Sequence, residues 1–254
     1  VVSMEPWVFE SQDGWLMRTP SYRLYTTIVK PQLREGLPMF LEACLANYTT
    51  ALAPLPRPSG ELETFILANR PQWARLTQRV MGEDAAIYLK IERGGFTANA
   101  RSLLYDIGPL DTYAIAAHEG WHRYTQRTFQ TPLPTSLEEG LATYMEGFRW
   151  DQATRRPIFL PWANIERFDQ LREAARAGKL MPLERVFYSS PQELIENDSD
   201  AALTYYAQVW AMIHFLRDGQ QGALRDGLDR MLREAASGEM LGRIRKVNGL
   251  RAAS

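Results

Sequence analysis

The pattern of apolar residues changes at Pro109, and this change restricts the folds that the chain can adopt. Before Pro109, β-branched and aromatic runs typical of strands alternate with stretches that have apolar residues at helical spacing. The strand-like runs are 21–28, 61–69, 85–92 and 100–108, and the helix-like stretches are 31–52 and 70–82. After Pro109 nearly every stretch has helical spacing. The sequence therefore predicts an α+β fold with a small N-terminal mixed sheet and helices, followed by a helical C-terminal half.

We expect residues 1–254 to form one domain. A chain of 254 residues is long enough to bury one sizeable core, and no long linker separates two independent parts. Within this domain, residues 1–108 are expected to form a sheet-and-helix subdomain. Residues 109–254 are expected to form a helical subdomain.

Charge and hydropathy argue against two classes of partner. The formal net charge is −1 and the isoelectric point is near 6.4, so the chain lacks the basic excess of proteins that bind nucleic acid through its phosphates. No apolar run approaches the roughly 18 residues of a transmembrane segment. The basic run 243–251 is expected to be a solvated tail. We expect a monomer.

The sequence leaves the compartment open. The one cysteine, Cys44, cannot form a disulfide within the chain. The chain opens on Val1 rather than on Met, which permits the removal of a secretion segment. In that case we expect the protein in the periplasm or cell envelope, and otherwise in the cytoplasm.

The stretch HEGWH, residues 118–122, holds two of the three histidines of the chain within the helix-like stretch 109–129. Residues four apart share one face of a helix, so His118 and His122 can reach a single metal ion. Catalytic zinc usually has three protein ligands and one water, so Zn²⁺ here needs a third donor from elsewhere in the chain. Glu119 is placed to act as the general base without being a ligand.

The third ligand is expected on the next helix, 137–150, which follows the short Pro-rich connection 130–136. This helix offers three carboxylates, on Glu138, Glu139 and Glu146. Adjacent residues do not share a helical face, so only one of the first two can be the ligand. We choose Glu139 because Gly140 follows it and allows a close approach of the backbone.

Each of these residues also has an ordinary structural interpretation. An H-E-x-x-H string occurs by chance, and a histidine in an apolar setting is often a hydrogen-bonded core residue. Gly120 indicates close packing against a strand or a substrate, and Trp121 is expected to anchor the helix in the core. Thr143 is either a hydrogen-bond partner of a metal-binding histidine or an ordinary helix residue.

HEGWH is followed, seventeen residues after its second histidine, by the Glu of LEEGLATYME, and this pattern resembles the gluzincin zinc metallopeptidases. Their pattern is H-E-x-x-H and then a helix that opens with E-G-x-A-x-Y. The likeness is to the small bacterial peptidase-MA-like group, which includes domains of unknown function. It implies a zincin-like fold similar to the thermolysin catalytic domain, with Glu139 rather than Glu138 as the ligand. Ser136 departs from the group, whose members often have Trp at this position.

The resemblance also implies a residue that stabilises the oxyanion. Gluzincins commonly place a Tyr or His across the site, and the string YYAQVWAMIHFL (205–216) is similar to their late helix. The Y-A-Q string assigns this role to Tyr206, with Tyr205 as the alternative. His214 is expected to be structural.

A strand that binds substrate is implied as well. In zincins the strand before the motif helix is an edge strand on which an extended substrate lies antiparallel. Residues 101–106 would fill that role, with Arg101, Leu103 and Tyr105 as the substrate-binding residues. An interior strand is the alternative.

Taken together, the residues and the resemblance predict a zinc-dependent peptidase in which Glu119 is the general base for a metal-activated water. The expected partner is a peptide or protein substrate. The main alternative is a catalytically silent zincin-fold protein that binds a peptide or a cell-envelope partner. A hydrolase acting on a non-peptide amide or ester is a further possibility.

Overall fold

The computed structural model describes residues 1–197 and 199–242 of the chain, so the run 243–251 lies outside the described residues. The chain divides into two compact units. The sheet unit consists of Val1–Tyr48, Arg57–Thr128 and Trp150–Ile158. The helical unit consists of Thr49–Pro56, Phe129–Arg149 and the chain from Phe159 onward. The mixed α+β class predicted from the sequence is confirmed.

The sheet unit contains a mixed sheet of six strands within the described ranges. The strands are β1 (Ser3–Phe9), β2 (Gln12–Arg18), β3 (Tyr22–Thr26), β4 (Leu62–Leu67), β5 (Gly95–Ala98) and β6 (Arg101–Tyr105). Their order across the sheet is β1-β2-β3-β4-β6-β5. Strands β3, β4 and β6 are parallel, whereas β1, β2 and β5 each pair antiparallel with a neighbour.

Helices cover both faces of this sheet. They are α1 (Pro31–Tyr48), α2 (Arg70–Met81), the short α3 (Ala85–Tyr88) and α4 (Pro109–Thr128). Helix α2 packs on one face, where Trp73 and Leu76 contact an apolar cluster that includes Leu103 and Tyr105. Helix α1 packs against α4, and α4 contacts β5 and β6. The helix that carries the two histidines therefore belongs to the sheet unit.

The strand predicted at 85–92 was wrong. Residues 85–88 form α3, and the chain then turns until β5 begins at Gly95. A short apolar run cannot be assigned to strand or helix by periodicity, and this one follows α2 after a single turn of 3₁₀ helix, Gly82–Asp84. Its apolar residues Tyr88, Leu89 and Ile91 still pack against the cluster around Trp73.

Helix α4 begins at Pro109, the first residue of the predicted helix-like stretch. The turn before it is held by Asp106. One carboxylate oxygen accepts hydrogen bonds from the Gly108 amide at 2.9 Å and from the Thr112 hydroxyl at 3.2 Å, and the other contacts the Lys30 ammonium at 2.8 Å. A negative charge at this end of the helix also interacts favourably with the helix dipole.

Asp106→Asn is expected to destabilise the fold in a pH-dependent way. Burial raises the pKa of Asp106, but the hydrogen bonds from Lys30 and Gly108 and the charge of Lys30 outweigh it, and the net pKa lies below its ordinary value of 3.8. Because the pKa is depressed in the folded state, the carboxylate stabilises the fold at neutral pH, and this contribution is lost as the pH falls through the folded-state pKa. The Lys30 side chain is 58% exposed, so the loss at pH 7 is expected to be about 1 kcal/mol.

Urea unfolding of the wild type and of Asp106→Asn at pH 7, 4.5 and 3 measures this effect. The difference between their free energies of unfolding is expected to shrink towards pH 3. An equal difference at all three pH values would contradict the assignment, because only the ionised carboxylate is stabilised by Lys30.

The helical unit is organised around one long helix. Its helices are α5 (Thr135–Met145), α6 (Ile165–Arg176), α7 (Leu183–Tyr188), α8 (Pro191–Asn197), α9 (Ser199–Asp218) and α10 (Arg225–Ser237). Helix α9 packs against each of the others in this set. A short ribbon of β7 (Phe148–Trp150) and β8 (Pro157–Phe159) follows α5. Among the helices of the described ranges, none is long and apolar enough to cross a membrane.

Candidate metal centre

The two histidines of the motif face each other on α4. Their Nε2 atoms are 3.2 Å apart, and the His118 side chain is buried, with 5% of its residue surface exposed. Two imidazole nitrogens on one tetrahedral zinc, each about 2.0–2.1 Å from the metal, are separated by roughly 3.3 Å. The observed distance is therefore close to the one that a shared zinc ion requires.

Glu139 completes a group of three potential ligands. Each of His118, His122 and Glu139 has a donor atom within 4.8 Å of the donor atoms of the other two, and over the described residues this is the cluster that could hold a metal. Glu138 and Glu146 are not part of it. The predicted spacing and the choice of Glu139 are thus confirmed as a possible metal-binding site. Two imidazoles and one carboxylate fit a catalytic zinc ion, which usually has three protein ligands.

Gly120 is explained by packing within the sheet unit. A Cβ atom at this position would lie 2.5 Å from the hydroxyl oxygen of Tyr48. That hydroxyl donates a hydrogen bond to the Ala117 carbonyl at 2.7 Å, so the phenol lies directly across the middle of α4. The close neighbour of Gly120 is therefore a tyrosine of α1 rather than a strand. Trp121 is fully buried and its ring contacts Tyr48, as expected of a core anchor.

Gly140 has a similar explanation within the helical unit. A Cβ atom there would lie 2.7 Å from the Val209 carbonyl oxygen and 2.9 Å from Cγ1 of Ile213. Helices α5 and α9 therefore approach each other closely at the residue that follows Glu139. The close backbone approach that Gly140 allows is therefore to α9.

The hydroxyl of Thr143 is used by its own helix. It lies 2.8 Å from the Gly140 carbonyl and 3.0 Å from the Glu139 carbonyl, and donates to this pair of oxygens. Of the two interpretations of Thr143, the ordinary helix residue is the one that the structure supports. Its single proton is not offered to a histidine.

Glu146 has partners of its own. Its carboxylate accepts hydrogen bonds from the Asn164 amide at 2.7 Å and from the Arg167 guanidinium at 3.3 Å. Both side chains of the ion pair are largely buried. Burial lowers the pKa of Arg167, but the negative charge of Glu146 opposes it and leaves the pKa above its ordinary value. This pair fixes the end of α5 to the start of α6.

The two tyrosines at the start of α9 have different surroundings. Tyr205 is fully buried, and its hydroxyl has no hydrogen-bond partner among the described residues. Burial and then the negative charge of Glu139 raise the pKa of Tyr205 well above its ordinary value. Tyr206 is half-buried, and the Arg167 guanidinium lies over its ring at 5.2 Å from the centroid.

Other contacts between α5 and α9 support the proximity of Tyr205 to Glu139. Gly140 lies beside Val209 and Ile213, and the rings of Tyr144 and His214 are 4.9 Å apart. The contacts advance in the same direction along both helices, which places Tyr205 next to the first turn of α5. Tyr205 thus lies within electrostatic range of Glu139.

His214 has the surroundings of a core residue, as expected. Its ring lies between those of Tyr144 and Trp210, with centroid distances of 4.9 and 4.5 Å. Burial lowers the pKa of His214, and a hydrogen bond to the Pro161 carbonyl and the charge of Asp218 oppose this effect.

The prediction that residues 101–106 form an edge strand was wrong. Strand β6 lies between β4 and β5, so its main-chain groups are used on both sides. Leu103 and Tyr105 point to the face covered by α2, and the Tyr105 hydroxyl donates to the Glu92 carbonyl. Arg101 is exposed and pairs with Glu63 at 2.5 Å. These three residues are therefore not available as a substrate-binding strand.

The edge strand is β5, which the sequence pattern did not reveal. Within the described ranges it pairs with β6 alone, and it packs against α4. The turn between the two strands is a two-residue hairpin, Asn99-Ala100, with positive φ at both residues. Asn in such a turn was the signal that could have revealed the hairpin.

No protein-family model, no curated protein and no solved structure matches the chain. The likeness to gluzincins therefore rests on residues 118–122 and on the helix that carries Glu139. The function of the chain has to be inferred from these residues and their geometry.

Proposed function

We propose that the protein is a zinc-dependent peptidase of the gluzincin type, with His118, His122 and Glu139 as the metal ligands and a zincin-like fold. The observation that carries the proposal is the convergence of two imidazoles and one carboxylate within 4.8 Å. Glu119, a buried carboxylate with 6% of its surface exposed, follows the first ligand directly on α4. Hydrolytic zinc sites typically combine histidine ligands with a neighbouring carboxylate that does not bind the metal.

The chemistry is divided between the metal and the side chains. Zinc, when bound, supplies a Lewis acid that polarises a carbonyl and lowers the pKa of water. Glu119 accepts the proton of the attacking water and passes it to the leaving amine.

Strand β5 is the surface that we assign to an extended substrate. Its outer main-chain groups are not paired with another strand of the described chain, and an extended peptide can add to such an edge. The strand precedes α4 in the chain and packs against it. Residues 95–98 thus take the place that was expected of residues 101–106.

For stabilisation of the oxyanion we choose Tyr205 over Tyr206. Tyr205→Phe is expected to lower kcat about 10²-fold and to leave zinc content unchanged, because it removes one hydrogen-bond donor. Tyr206→Phe is the matched control, since the ring of Tyr206 is held by Arg167 and the substitution also removes one hydroxyl. Steady-state kinetics and elemental analysis of both variants measure the effect. A larger loss of kcat in Tyr206→Phe would reverse the choice.

The peptidase proposal is tested on the wild-type protein. We expect one zinc per chain by elemental analysis and cleavage of fluorescence-quenched peptides that stops on addition of 1,10-phenanthroline and returns with added zinc. Cleavage that survives complete removal of the metal would contradict the proposal. Stoichiometric zinc without cleavage of any peptide would support the alternative of a silent peptide-binding protein.

A further inference from the structure

Three adjacent strands of the sheet place hydroxyl side chains side by side beneath α4. Ser102 on β6 is in register with Thr64 on β4 and with Thr97 on β5. We call these three residues the hydroxyl row. Thr64 and Ser102 are fully buried and Thr97 is half-buried.

The hydroxyl row contacts α4 at two positions one turn apart. The hydroxyl oxygens of Thr97 and Ser102 lie 2.9 and 3.1 Å from the backbone carbonyl oxygen of Glu119 and 2.8 Å from each other. The Thr64 hydroxyl accepts a hydrogen bond from the Arg123 guanidinium at 2.6 Å. Residues 119 and 123 share a face of the helix, so the row contacts that face over one full turn.

The number of hydroxyl protons determines how many hydrogen bonds the Glu119 carbonyl oxygen accepts from Thr97 and Ser102. Thr97 and Ser102 have one hydroxyl proton each for three short contacts, so at least one of them donates to the carbonyl in any arrangement with two hydrogen bonds. The other either donates to the same oxygen or to its neighbour. A helical carbonyl already accepts the N–H of residue i+4, so this one uses its second lone pair.

Burying the hydroxyl row between the sheet and α4, where apolar side chains usually pack, costs free energy of desolvation. Buried hydroxyls must be hydrogen-bonded, and the guanidinium of Arg123 is also buried, beneath helix α4 and over the ring of Tyr22. Its Nε and Nη2 atoms have no hydrogen-bond partner in the part of the chain that the structure describes. Hydrogen bonds are directional, so they fix the rotation and the position of a helix more strictly than apolar contacts do.

We infer that the hydroxyl row positions α4 on the sheet and thereby sets the orientation of the two histidine ligands and of Glu119. Thr97 and Ser102 are positioning residues, because they act through the main chain of the helix. The inference rests on the proposed metal site. It adds that the edge strand β5 and the general base are joined by hydrogen bonds, so that the strand and the reacting groups keep a constant separation.

Cobalt(II) affinity tests this inference without a need for hydrolysis. The variant Thr97→Val/Ser102→Ala removes both hydroxyls, because either one alone can donate to the Glu119 carbonyl. It is expected to bind cobalt about tenfold more weakly than the wild type, as removal of groups that orient metal ligands does elsewhere. Titration by absorbance gives the dissociation constants, and urea unfolding gives the stabilities.

The matched control is Thr26→Val. Thr26 is equally buried in the same sheet, but its hydroxyl donates to the Ile66 carbonyl of the neighbouring strand, at 2.7 Å. This variant is expected to lose stability and to keep the cobalt affinity of the wild type. If the double variant does not fold, Thr97→Ala/Ser102→Ala replaces it, because it also removes both hydroxyls, and Thr97→Ser, which keeps both, is its control. Only the former is expected to weaken binding, by about tenfold.

The outcomes separate this inference from the proposed function. Equal cobalt affinities in the double variant, or in its replacement, and in Thr26→Val would overturn the positioning role alone. Tight cobalt binding by the wild type without peptide cleavage would count against the peptidase and leave the positioning role supported by the affinity ratio. A wild type that binds no cobalt would overturn both.

Discussion

Glu119→Gln is expected to bind one zinc per chain, like the wild type, and to lose peptidase activity by about 10³–10⁴-fold. The substitution keeps the size and shape of the side chain but removes its ability to accept a proton at neutral pH. Glu119 is not one of the three clustered donors, so zinc affinity is expected to change little. Elemental analysis and the rate of peptide cleavage on the same sample measure the two properties.

His118→Ala is the control for this experiment. It removes a ligand from the same helix, one residue away, and is expected to lose both the metal and the activity. The contrast between the two variants distinguishes a base from a ligand. Full activity of Glu119→Gln would overturn the mechanism, and loss of zinc from this variant would place Glu119 among the ligands.

The parts of the fold that the sequence predicts well are those with strong periodicity. Strands β3, β4 and β6 are largely buried, and β3 and β4 are also rich in β-branched and aromatic residues, so short runs reveal them. Strand β1 is mostly exposed and contains Pro6, and the four-residue β5 is too short to show alternation. Strands that are short or mostly exposed have weak patterns because few of their side chains alternate between a buried and an exposed face.

In the candidate site, the features that depend on local spacing can be predicted from the sequence, and those that depend on strand pairing cannot. A spacing of four on a helix brings His118 and His122 together whatever the tertiary structure, and a short connection followed by Glu-Gly identified the third member of the cluster. The order of strands depends on pairing between distant segments, which a local pattern does not contain. For that reason the sequence analysis expected the edge strand at β6, whereas β5 lies at the edge of the sheet.

The choice between Tyr205 and Tyr206 also depends on tertiary packing, which a local sequence pattern does not contain. Adjacent positions on a helix point about 100° apart, so an error of one residue changes the neighbours completely. Only the packing of α9 against α5 decides which tyrosine is near Glu139. The motif string contains both residues and cannot decide.

Glu139→Gln is expected to weaken zinc binding by about 10²–10³-fold, since each ligand contributes roughly 3–4 kcal/mol of the binding free energy of a zinc site. An amide oxygen is a poorer zinc ligand than a carboxylate, and the two histidines alone leave the ion held by one helix. Competition with a chromophoric chelator gives the dissociation constant for each variant.

Glu138→Gln is the matched control, because it makes the same substitution one residue earlier on the same helix and lies outside the cluster of donors. Its zinc affinity is expected to remain within about twofold of the wild type, since removal of a charge that is not a ligand changes only the distant electrostatics. A reversed result, with Glu138→Gln the weaker binder, would mean that the third ligand is Glu138. Equal affinities of both variants and the wild type would mean that α5 does not contribute a ligand, and the site would then consist of two histidines, too few for a catalytic zinc ion.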